Sequence, residues 1–256
     1  MITLSKTRTL AALFLLTAAS ACGGAESAEG DTVPAHAHGH PGAHEGAEHG
    51  GHGGHGAHGG HGGAHEHDFS DAEGFAELFD DPSRDEWQQP ALVIEKLELA
   101  EGMIVADIGA GTGYFLPHLS RAVGDEGHVL GLDVEPNMVR YMTERIGRDG
   151  LTNAEAREVP TTEPGLEAAS VDRILIVNTW HHISDREAYA AKLMEALRPG
   201  GFVLVVDFTQ DAPHGPPPAM RLPPETVAQE LEAAGFTTTT ETDALSIQYV
   251  VRGARP

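Results

Sequence analysis

The chain has 256 residues, enough for one full-sized domain with extensions, and its 39 acidic and 16 basic side chains give a formal net charge of −23. That balance argues against a nucleic-acid partner, because phosphate binding needs clustered Lys and Arg; a plain solubilising surface is the bland alternative. One cysteine, Cys22, excludes an intramolecular disulfide and any cysteine-built metal site.

The first 22 residues have the three-part layout of an export signal: basic Lys6 and Arg8, an apolar run at residues 10–19, then small Ala19-Ser20-Ala21 before Cys22. The run is too short for a permanent membrane span. The position of Cys22 resembles a bacterial lipoprotein signal, in which the cysteine becomes the lipidated first residue, although Ala19 stands where leucine is usual. Ordinary cleavage with Cys22 incidental is the other reading. The chain is therefore expected to be exported, either periplasmic or attached to a membrane through an N-terminal lipid.

Residues 23–72 read as a disordered linker. Of the 16 histidines, 11 fall between His36 and His67, among glycine, alanine and glutamate. Such a stretch cannot bury enough surface to offset the entropy of ordering. His36, His38, His40, His52, His55, His58 and His61 recur at short spacings on a mobile chain, where neutral imidazoles suit zinc, nickel or copper as loose, multi-site ligands. Two other readings stand beside metal binding. The stretch is a tether that happens to be histidine-rich, or a segment whose imidazoles charge together below about pH 6.5.

Residues 73–256, roughly 180 residues, are long enough for a real core. A helix is predicted over 90–97, opened by Pro90. A buried strand over 104–108 leads into a glycine turn and a helix over 114–123. A strand over 128–133 precedes a helix from Pro136 to about Arg148. Further strands fit 154–158 and 171–178, then a helix over 186–197 stopped by Pro199-Gly200-Gly201. A strand over 202–208, a helix over 224–234 and two last strands within 237–251 complete the chain. Strands alternating with helices predict a doubly wound, mostly parallel, seven-stranded Rossmann-like α/β sheet, whose ligands sit beyond the carboxyl ends of the strands.

Asp107, the glycine turn, Asp133 and Asn178 all fall at that edge. In Asp107-Ile108-Gly109-Ala110-Gly111-Thr112-Gly113 a strand ends in a turn that lets backbone approach a ligand closely. The next helix offers free N–H groups. Asp133, at the end of the second strand, is placed to accept from ribose hydroxyls. A dinucleotide site would want a third glycine where Tyr114 stands. Asp107 would also repel a pyrophosphate while attracting a ligand ammonium.

Residues 100–208 resemble the class I S-adenosylmethionine-dependent methyltransferases, in particular the quinone-biosynthesis and small-molecule members. The resemblance rests on the glycine motif, on Gly131-Leu132-Asp133-Val134-Glu135-Pro136, on Asn178-Thr179-Trp180-His181-His182, and on Leu197-Arg198-Pro199-Gly200-Gly201. It implies S-adenosyl-L-methionine as cofactor, held by Asp107, Gly109, Ala110, Gly111, Thr112, Gly113, Asp133, Val134 and Asn178, and a small-molecule or lipid-like methyl acceptor. Many such enzymes carry an aspartate after the third strand to hold the adenine. Here Val159-Pro160-Thr161-Thr162-Glu163 has none, so either Thr161 or backbone takes that place or the cofactor is held more weakly than usual.

Methyl transfer needs mainly positioning, and a base is optional. His181 is the candidate base, with a packing role as its alternative; His182 is read as structural, and Trp180 as core or lid. Asp207 is expected to face the cleft or cap the next loop. The His214-Gly215-Pro216-Pro217-Pro218 loop reads as a connector, and no bulky insertion follows the fifth strand, so the acceptor pocket is expected to be small or open. Two other functions stay open: an exported binding module that kept the fold without catalysis, and a protein that handles a metal or metalloid.

Overall fold

The computed structural model describes residues 71–256. The export signal, Cys22 and the histidines from His36 to His67 lie outside the described residues.

Two short helices come first, α1 (Ala72–Phe79) and α2 (Arg84–Gln88). Asp71 caps α1 by accepting the Gly74 N–H at 3.0 Å, so that helix takes in the last residue read as linker. Then follow α3 (Pro90–Lys96), β1 (Ile104–Ile108), α4 (Leu116–Val123), β2 (His128–Asp133), α5 (Pro136–Asp149) and β3 (Ala154–Glu158). The remainder is β4 (Val171–Val177), a 3-10 turn (Trp180–His182), α6 (Arg186–Ala196), β5 (Leu197–Phe208), a second 3-10 turn (Pro218–Met220), α7 (Pro224–Ala233), β6 (Thr237–Glu241) and β7 (Gln248–Ala254).

The seven strands form one sheet in the order β3-β2-β1-β4-β5-β7-β6. It is parallel from β3 to β5, and β7 runs antiparallel to both β5 and β6. The doubly wound, mostly parallel sheet expected from the sequence is thus observed. Alternation along each central strand splits the core in two. Ala106, Ile108, Ile174, Ile176, Val203 and Val205 pack with Leu193 of α6 and Leu231 of α7. Val105, Leu175, Val177, Leu204 and Val206 pack on the other face with Val93 of α3, Leu119 of α4 and Met142 of α5.

Two differences from the sequence reading matter. Leu197-Arg198-Pro199-Gly200-Gly201 does not merely stop a helix but starts β5, with Leu197 opposite Val171 and a register irregularity before Phe202 meets Arg173. And α1 and α2 were not expected. They are eight and five residues long, and their buried residues are only Ala72, Ala76 and Gln88, too little apolar periodicity to register.

Candidate active site

The carboxyl ends of β1, β2, β4 and β5 open onto a cavity of about 910 Å³. The glycine turn is its floor at one end. Gly109 has φ 68°, and a Cβ there would stand 2.3 Å from Thr179 Cγ2. Only glycine fits a turn that tight against a neighbour. Gly111, at φ 56°, donates its N–H to Asp133 Oδ2 at 2.8 Å, while Asp133 Oδ1 accepts the Glu135 N–H at 3.0 Å. Asp133 therefore fixes the turn and keeps free lone pairs at the cavity wall. Burial raises its carboxyl above the ordinary range, against the pull of backbone N–H groups of Glu135, Gly111 and Val134.

Of the residues expected at the cofactor, Gly109, Ala110, Gly111, Thr112, Asp133, Val134, Thr161 and Asn178 line this cavity, and so does His181. Asp107 and Gly113 stand behind the wall. Gly113 packs on Leu116 and Met142. Asp107 is buried at the end of β1, where burial lifts its carboxyl from 3.8 to about 7; the Arg84 charge opposes that rise and Asp133 adds to it. Thr161 is exposed, and Val134 keeps 48% of its surface free at the cavity edge.

The roof comes from the N-terminal side. Leu78 and Phe79 of α1, Ser83, and Arg84 and Trp87 of α2 face the glycine turn and the histidines. No bulky insertion follows β5, and the cover over the cavity arrives instead from α1 and α2. Asp80 pins this lid, accepting from Thr112 Oγ1 at 3.1 Å and Arg145 Nη1 at 2.7 Å. Tyr114, which fills the place of a third glycine, donates its hydroxyl to Asp85.

Arg84 joins lid and floor. Its guanidinium lies 3.9 Å from the centre of the Tyr114 ring, Nη1 donates to the Phe79 carbonyl at 2.8 Å, and Nη2 to Gln88 Oε1 at 3.2 Å. Gln88 Nε2 donates to Gln248 Oε1 at 2.8 Å, and Gln248 Nε2 to Asn178 Oδ1 at 2.7 Å. Asn178 itself sits at φ 54°. A chain of amides, buried at Gln88 and Gln248 and half-buried at Asn178, thus runs from α2 through β7 to the end of β4. Arg84 Nε is buried without a hydrogen-bond partner among the described residues.

At the other end, Trp87 meets Phe208 at 5.7 Å and His214 at 5.1 Å between ring centres. His214, Gly215 and Pro216 line the cavity, so the loop read as a connector is part of the wall. Arg221 holds it there, donating to the carbonyls of Pro216 and Ala212 at 2.8 Å each, of Gln210 at 3.1 Å and of His214 at 3.2 Å. His181 Nδ1 meets Asp207 Oδ2 at 2.8 Å. His182 also lines the cavity, its ring centre 4.2 Å from that of His181. Trp180 is fully buried and donates Nε1 to Glu230 at 2.8 Å, which makes it core. Among the described residues no group of three or more His, Cys, Asp or Glu is placed to hold a metal ion.

The profile of the methyltransferase-domain family matches residues 105–201. The crystal structure of an S-adenosylmethionine-dependent methyltransferase from Aquifex aeolicus is 30% identical, superimposes with a TM-score of 0.68, and is covered over 99% of its length by 73% of this chain. The chain belongs to the class I S-adenosylmethionine-dependent methyltransferases. Among curated relatives, the ubiquinone/menaquinone biosynthesis C-methyltransferase of Shewanella halifaxensis (strain HAW-EB4) is 30% identical over 125 residues, 46% of this chain and 47% of that protein. The arsenite methyltransferase of Halobacterium salinarum (strain ATCC 700922 / JCM 11081 / NRC-1) is 28% identical over 115 residues, 45% of this chain and 29% of that protein. The match thus spans less than half the length of these curated relatives.

The methyltransferase cofactor fits the residues present. Asp133 at the wall would accept from a pair of hydroxyls, the bare Gly109 to Gly111 backbone admits close approach, and Arg84 lines the same wall with Asp107 buried behind it. Arg84, the lid aromatics, Gln248 and Arg221 escaped the sequence reading. One signal was present: Arg84 is the first cation after 75 uncharged or acidic positions, an unusual place for a side chain that ends up buried.

Proposed function

We propose that this methyltransferase acts on a small, largely apolar acceptor bound between its glycine turn and the His181 end of the same cavity. The observation that carries the reading is that one roofed space of about 910 Å³ joins the cofactor-type residues to Trp87, Phe208 and His181. S-adenosyl-L-methionine, when bound, supplies a methyl group already activated on a sulfonium.

The chain's own residues then bind, orient and exclude water. Asp133 holds the ribose hydroxyls, and Val134 and Thr161 border the base in place of the missing aspartate. Arg84, at the wall, answers the carboxylate of the amino-acid end. Asn178, fixed by Gln248, sets the strand end between cofactor and acceptor. Trp87, Phe208 and His214 give the acceptor a ring-lined, low-dielectric surface, which fits an apolar molecule better than a charged one.

The protein is exported on its N-terminal signal and anchored by a lipid on Cys22, with the histidine-rich segment as a metal-binding tether. The sequence layout supports this part: Lys6, Arg8, the apolar run, the small residues and Cys22, then His36 to His67.

Calorimetric titration of S-adenosylmethionine into the full-length protein tests the reading. Micromolar binding with one site is expected. No binding up to millimolar, in a sample with a cooperative thermal transition, would replace it with a non-catalytic binding module that kept the fold.

A further inference from the structure

We infer that the cofactor's base is gripped here by apolar side chains, Leu78 of the lid among them, and is not read through its 6-amino group. A cofactor carrying hypoxanthine is then accepted nearly as well as one carrying adenine. This rests on S-adenosyl-L-methionine binding along the glycine turn, and adds what the base end of that site discriminates.

β3 ends at Glu158, and the segment after it borders the cavity with Val159 and Thr161. Val159 comes first, apolar and 6% exposed, and its N–H is spent on the Asp133 carbonyl at 2.9 Å. Pro160 has no N–H to give. The first two positions beyond the strand therefore offer a base neither a carboxylate nor a backbone donor. The acids that line the cavity have other partners or another place. Asp133 accepts the Gly111 and Glu135 N–H groups, Asp81 accepts the Ser83 N–H at 2.8 Å, and Glu86 is on α2 beside Trp87. Thr161 is left as the polar side chain of this segment at the wall. A hydroxyl both donates and accepts, so it serves a 6-amino and a 6-oxo group alike.

Apolar contact takes over from the missing carboxylate. Among the described residues the exposed large hydrophobic side chains are Leu78, at 67%, and Val134, at 48%, and both line this cavity. Ion pairs of Glu73 with Arg140 at 2.6 Å and of Asp80 with Arg145 at 2.7 Å hold α1 along α5, the helix into which Val134 leads. Leu78 thus comes to the cavity from the lid and Val134 from the sheet edge. Apolar groups left in water at one cavity favour a flat, weakly polar occupant. The purine attached to the ribose at Asp133 is that occupant. Contacts of this kind discriminate weakly: an apolar wall rejects an isostere by about a hundredfold at most, whereas a site built on one hydrogen bond rejects its loss by about 10⁴-fold or more.

Calorimetry on the full-length protein compares two thioethers, S-adenosylhomocysteine and S-inosylhomocysteine, which carry the 6-amino and the 6-oxo base. Their affinities are expected to agree within about tenfold. A larger preference for the adenine form would overturn the inference. Leu78→Ala alters an exposed position and leaves the core intact. It should weaken both thioethers by a similar factor, about three- to tenfold. Unchanged affinity, or a loss confined to one of the two, would remove Leu78 from the base and overturn the inference as well. The same titrations separate this from the wider reading. Failure of both thioethers to bind folded wild-type protein fells the cofactor site itself, while tight S-adenosylhomocysteine with the inosine form rejected fells only the apolar grip.

Discussion

The hydroxyl of Thr112, in the glycine turn, donates to Asp80 Oδ1 just after the lid helix α1 at 3.1 Å. Asp80 also accepts from Arg145 of α5 at 2.7 Å, so one carboxylate joins lid, turn and scaffold. Asp80→Ala is expected to weaken S-adenosylmethionine binding by about 1–2 kcal/mol, mostly through a faster off-rate, because the roof loses its pin. Stopped-flow release of the bound cofactor measures it. An unchanged off-rate would mean that α1 does not cover the ligand.

Asp133 and Arg84 are expected to act at opposite ends of the cofactor. Asp133→Ala and Arg84→Met should each cost roughly 1–3 kcal/mol in calorimetric affinity. Adenosine, which lacks the amino-acid end, separates them: its binding should fall in Asp133→Ala and stay near wild type in Arg84→Met. Equal losses in both variants would contradict the placement.

Asp107 gives a pH dependence with a definite sign. Its carboxyl ionises near 3.8 when unfolded and at about 7 in the fold, so the folded state holds the extra proton between those values. Its contribution to stability is full below about pH 4 and is lost as pH rises through 7, by an amount on the order of 4 kcal/mol. Asp107→Asn should therefore gain in melting temperature relative to wild type between pH 5 and pH 8. Parallel pH curves for the two proteins would show that Asp107 stays ionised throughout.

Arg221 spends its guanidinium on the carbonyls of the loop that carries His214 to the cavity. Arg221→Met should leave those carbonyls unpaired, raise the acceptor KM about tenfold or more, and change S-adenosylmethionine affinity less than twofold. Steady-state kinetics with each substrate varied in turn would show it; equal effects on both substrates would make the loop a general structural element.

For the segment outside the described residues, deleting residues 34–67 should abolish multi-site zinc or nickel binding and leave the domain's thermal transition in place. Loss of the cooperative transition on deletion would make the segment part of the fold.

The sequence by itself determined the sheet and the cofactor end of the site. Buried β-branched strands around Ile104, His128 and Val171 alternate with amphipathic helices, and the glycine turn with Asp133 follows from local spacing, because those residues act within one strand–turn–helix unit. The tertiary structure alone decided the rest. Asp107 and Gly113 share the motif with Gly111 yet fall behind the wall, since a turn exposes only some of its residues to one side. Arg84, Gln248 and Arg221 work across gaps that no local pattern spans: Gln88 and Gln248 meet 160 residues apart. The lid helices are too short to show a period of their own, and they acquire their position from Asp80, Asp85 and Arg84 bonding to partners far along the chain.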